Sequence, residues 1–77
     1  MARYCLYTND SFYDRTTDEY VLALIKENDA GYTIYSKHVD LGLLQQVADS
    51  YNTQRGHNRD DVMHIVASSM IQGKVRS

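Results

Sequence analysis

The chain has 77 residues and a formal net charge of −2, with a sequence pI of about 5.8. A chain this short makes one domain and buries only about 60% of the surface it exposes when unfolded, which excludes a multidomain architecture and leaves a thin stability margin. Its acidity argues against a general nucleic-acid binder, which needs positive charge to displace counterions from phosphates.

With 43% hydrophobic and 23% charged residues, the composition is that of a folded chain. There is no proline or tryptophan, but there are seven tyrosines. Tyrosine suits strands and also interfaces, because it joins a rigid apolar ring to a polar tip. Cys5 is the one cysteine, so an internal disulfide framework is excluded and a reducing, cytoplasmic setting is expected. The longest apolar run, Val21 to Ile25, falls far short of the roughly 20 residues that span a bilayer. Neither a membrane partner nor a targeting segment is expected.

In chain order, Arg3 to Thr8 reads as a short strand with apolar residues on both faces. Asn9, Asp10 and Ser11 break it, and the segment up to Thr17 reads as a loop or irregular edge. Glu19 to Glu27 is the strongest strand, with Tyr20, Leu22 and Leu24 alternating against Val21, Ala23 and Ile25. The turn Asn28-Asp29-Ala30-Gly31 leads into a second hairpin strand, Tyr32 to Val39.

Two helices follow. Asp40 is placed to cap the first, with Val39 and Leu44 as a hydrophobic staple, and Leu43, Leu44, Val47, Ala48 and Tyr51 make an apolar stripe. Gly56 marks its end or the loop after it. Asn58 caps the second helix, with Asp61 in a capping-box position, and Val62, Ile65, Val66 and Ser69 point inward. Gly73 ends that helix ahead of a basic tail.

The expected fold is α+β: residues 1–77 form a single domain, a small antiparallel sheet (hairpin plus N-terminal strand) followed by two C-terminal helices packed on one face. The expected core is Leu6, Leu22, Leu24, Ile34, Leu44, Val47, Tyr51, Val62, Ile65 and Val66. Val21 and Ile25 replace the leucines of the middle strand if its other face points inward.

No phosphate-binding glycine loop, metal motif or nucleophile elbow is present, so the expectation is a non-enzymatic protein without cofactor or metal. Cys5 lies in a strand and reads as a small buried hydrophobe. His57, Asp60 and His64 supply too few ligands for a tight metal site, and Asp60 with His64 reads as a surface i, i+4 pair. His38 is isolated and reads as a cap at the strand end.

The segment Asn9 to Tyr20 stands out. It carries Asp10, Asp14, Asp18 and Glu19 against Arg15, with Phe12, Tyr13 and Tyr20 among them. A solvated charged face is the plain reading. The functional reading is a partner-binding patch of Asp10, Phe12, Tyr13, Asp14 and Asp18, with the rings as anchors and the carboxylates as a steering field for a basic groove of another protein. A second candidate surface is the flank Met63, Ala67, Met70 and Ile71 of the last helix, which suits either packing on the first helix or a homodimer or partner contact.

From Tyr32 onward, the order strand, helix, glycine, capped helix resembles a ribbon-helix-helix DNA-binding module, and "GHNRDDVMHIV" is similar to that family's entry into its second helix. The resemblance covers about 45 residues. It implies a dimeric regulator whose paired strands enter the major groove. On this chain, Thr33, Ser36 or Lys37 would read bases, and Lys37, Arg55 and Arg59 would form the DNA-binding set.

The preferred expectation is a protein-binding module, a small regulator or inhibitor that occludes a partner's surface. By analogy of style, it suits a phage or mobile-element accessory protein of the anti-defence kind. The alternative is the DNA-binding regulator.

Overall fold

The computed structural model describes residues 3–69. Four strands come first: β1 (Tyr4–Tyr7), β2 (Tyr13–Asp14), β3 (Glu19–Lys26) and β4 (Thr33–His38). Two helices follow, α1 (Leu41–Gln54) and α2 (Arg59–Ser68). The α+β class and the order sheet-then-helices are as the sequence predicts.

β3 is the centre of the sheet. β1 and β2 pair with it along one edge and β4 along the other, all antiparallel. The short β2 was not expected; it forms because the chain after β1 turns back on itself. Asn9 accepts from the Ser11 N–H through its side chain (2.8 Å) and from the Phe12 N–H through its carbonyl (3.0 Å). Asp14 then closes the next turn, its Oδ1 accepting from the Thr16 N–H at 2.9 Å. The left-handed backbone this turn requires falls on Asp18 (φ 62°), a residue type that tolerates it. In the β3–β4 turn the same need is met by Asn28 (φ 67°) and Gly31 (φ 95°).

Both faces of β3 are apolar, and each needs a cover. Leu6 and Leu22 pack with Leu44 and Ala48 of α1, flanked by Tyr20, Leu24 and Tyr51. Cys5, Val21, Ala23 and Ile25 pack with Phe12 and Ile65 of α2, flanked by Tyr7, Tyr32, Val62 and Val66. Successive strand residues point to opposite faces, so α1 covers one face and α2 the other. The single-face packing expected from sequence is corrected by this alternation.

The chain passes between faces around the outer edge of β1, and it seals that edge as it goes. The Asn52 carboxamide accepts from the Leu6 N–H and donates to the Leu6 C=O, both at 2.9 Å. A ring nitrogen of His57 lies 2.7 Å from the Tyr4 carbonyl oxygen. Gly56, at φ 80°, lets the backbone turn between Asn52 and the Asn58 cap. Asp40 caps α1 through the Gly42 and Leu43 N–H groups, and Asn58 with Asp61 forms the predicted capping box of α2.

Two expected core residues are exposed, Ile34 at 49% and Val47 at 40%. Ile34 sits on the outermost strand, and α1 buries only the line of Leu44, Ala48 and Asn52. Val39 is exposed as well and is not part of the cluster around Leu44.

Candidate functional site

The acidic segment becomes the turn at one end of the sheet. Phe12 is not a surface anchor: it is 1% exposed, set edge-on between Tyr7 (5.8 Å) and Tyr32 (5.1 Å) under the α2 face. Its place in the expected binding patch is corrected accordingly. The turn at Asn9 swings it inward, and the β2–β3 hairpin holds it there, the Val21 N–H donating to its carbonyl at 2.9 Å.

Tyr13 stays at the surface, half-buried. Its ring lies edge-on to that of Tyr20, centroids 4.9 Å apart, because the two are paired across β2 and β3. Its hydroxyl donates to the Asp18 carboxylate. Asp14 is engaged elsewhere: Lys37 reaches across β3 to its Oδ2 at 2.9 Å. That ammonium, helped by the Thr16 and Thr17 N–H groups, holds the Asp14 carboxyl below its ordinary value.

Together these residues frame an open depression of about 890 Å³, lined by Asp10, Ser11, Tyr13, Arg15, Asp18, Tyr20 and Val39. Two carboxylates and the rings of Tyr13 and Tyr20 thus share one concavity with Arg15. Such a surface suits a cationic side chain, which gains from the two carboxylates. Tyr20 is one of the rings the sequence offers as anchors, whereas Val39 is not among the residues singled out for the site. Tyr20 also reads as a strand residue and Val39 as a staple, and the pairing of β2 and β4 with β3 brings them together beside Asp10 and Asp18.

The other predicted sets fare differently. Met63 and Ala67 are exposed on α2, whereas Met70 and Ile71 lie outside the described residues. Met63 lines a groove of about 660 Å³ beside β1, with Asp49, Asn52, His57 and Arg59. Lys37, Arg55 and Arg59 are not brought together: Lys37 is ion-paired on β4, Arg55 stacks on the Tyr51 ring at 4.5 Å, and Arg59 opens α2 beside β1, the opposite edge of the sheet. The strand of the ribbon resemblance is β4, and one of its edges is taken by β3.

His64 meets Glu27 (3.2 Å) rather than Asp60, and Arg3 reaches the other oxygen of Glu27 at 2.8 Å. His38 accepts from the Asp40 N–H through Nδ1 at 3.0 Å, beside the α1 cap. Cys5 is fully buried, and burial pushes its thiol up to about 11. Among the described residues no three His, Cys, Asp or Glu side chains gather into a metal-holding group, and no helix is long and apolar enough to cross a membrane.

No protein-family model, curated protein or solved structure matches this chain.

Proposed function

We propose that this chain is a non-enzymatic protein-binding module that docks on a basic surface of another protein and acts as a regulator or inhibitor by occluding it. One observation carries the reading: Asp10 and Asp18 share an open depression with the crossed rings of Tyr13 and Tyr20. The rings are held by strand pairing, so a partner orders little when it binds, which favours them as anchors. The carboxylates supply steering more than raw affinity.

The test is capture of a partner with the full chain followed by mapping of cross-links. The cross-links should fall in Asp10 to Tyr20. Capture should weaken for the double variant Asp10→Asn/Asp18→Asn and persist for Ala67→Asp on α2. Asparagine is chosen because it accepts the left-handed backbone at position 18. A salt-sensitive shift of duplex DNA, lost in Lys37→Glu or Arg59→Glu, would overturn the reading in favour of a DNA-binding regulator.

A further inference from the structure

The outer edge of β4 is the other conspicuous surface. Val21 gives its N–H to Phe12, on the side of β3 away from β4. Its partner on β4, Lys37, therefore sits in a non-hydrogen-bonded pair and turns its own N–H and C=O outward. Among the described residues no strand pairs with that edge. Proteins normally blunt a free edge with charge, proline or a bulge. β4 has an irregularity, because Leu22 faces Ser36 and Ala23 faces Ile34, leaving Tyr35 as the extra residue. Its one lysine offers less protection, since that side chain is drawn across β3 to Asp14.

Beside this edge, on the α1 face, lies a groove of about 340 Å³. Tyr35, Leu43, Val47 and Tyr51 line it, and its polar residues are uncharged. A strand added to β4 would place alternate side chains against Tyr35, Leu43 and Val47.

We propose that β4 accepts an extended segment of a partner protein as a further strand. Apolar residues at alternate positions enter the Tyr35/Leu43/Val47 groove, and a lysine or arginine stands at the end beside His38. This rests on the protein-binding reading above and specifies how the partner lies. Charge complementarity selects the occupant. β4 runs into Val39, which lines the depression holding Asp10 and Asp18, so a segment following β4 ends at those carboxylates. In a register that sets Thr33 opposite Val39, a second copy paired antiparallel through β4 would bring Asp29 with Lys26 4.0 Å from it, and so no net positive charge, toward that point.

The test is selection of displayed random peptides on the full chain, with the enriched peptides then synthesised. Enriched sequences should alternate apolar residues and carry Lys or Arg at one end. Binding should slow hydrogen exchange at the Lys37 amide, and Val47→Asp should weaken it by about tenfold or more while Ala67→Asp leaves it intact. Basic peptides that lose affinity only in Asp10→Asn/Asp18→Asn, with Lys37 unprotected, would overturn strand addition and leave the protein-binding reading standing. Self-association abolished by Val47→Asp, with no peptide enriched, would replace the partner by a second copy. Absence of both peptide binding and self-association would overturn both proposals.

Discussion

The side chain of Asn52 pairs with the backbone of Leu6 as a neighbouring strand would, accepting from its N–H and donating to its C=O at 2.9 Å each. Both residues are buried, Asn52 at 5% and Leu6 at 0% exposure. One carboxamide therefore closes the edge of β1 and fixes the point where the chain crosses from the α1 face to the α2 face. An unpaired buried backbone group costs about 1–3 kcal/mol.

Asn52→Ala orphans both groups of Leu6 and should cost about 2–4 kcal/mol, read as a lower urea midpoint with an unchanged slope. Asn52→Asp keeps the acceptor but sets a carboxylate against the Leu6 carbonyl. It should be less stable at neutral pH than under mildly acidic conditions, where a protonated carboxyl can donate instead.

Phe12→Ala removes a ring enclosed by Tyr7, Tyr32 and the α2 side of the core. The expected cost is about 3–5 kcal/mol, visible as a large drop in thermal midpoint, and any loss of binding in this variant should follow unfolding. Tyr13→Ala should behave in the opposite way, losing binding with a smaller change in stability, because that ring stays at the surface.

Stability should fall on the acid side. The guanidinium of Arg3 holds the Glu27 carboxyl below its ordinary value of 4.5, and Lys37 does the same for Asp14 below 3.8. A carboxylate with a depressed folded value contributes stability that is fully present above its unfolded value and is lost as pH falls through the folded one. Melting temperature against pH should therefore decline below about pH 4.5. Glu27→Gln should make that decline shallower, and an unchanged acid limb in this variant would contradict the assignment.

Cys5 should resist thiol reagents in the native chain. Its side chain is fully buried, and burial raises the thiol to about 11, so little thiolate exists at neutral pH. Reaction with a disulfide reagent should be slow in buffer and fast in denaturant, the native rate tracking the open population.

Much of this fold is written locally. The alternation along Glu19 to Lys26, the turn residues Asn28 and Gly31 and the caps Asp40 and Asn58 are each set by their own neighbours. They were legible for that reason. The assignment of faces was not, because β3 carries apolar residues on both sides and only the route of the chain past β1 puts one helix on each. Helical periodicity groups Leu43 and Val47 with Leu44 and Ala48, although α1 buries only the second pair. The acidic, aromatic character of the site was visible in Asn9 to Tyr20. The division of labour within it depended on a turn that buries Phe12 and a lysine from β4 that occupies Asp14.

The most direct test of the central claim is the affinity of a captured partner for the wild-type chain and for Asp10→Asn/Asp18→Asn, measured across a range of salt concentrations. Exposed charges are screened by salt. Wild-type affinity should therefore weaken as salt rises, and the double variant should bind more weakly with a flatter salt dependence. Equal affinities and equal salt slopes for the two chains would contradict docking through the Asp10/Asp18 depression.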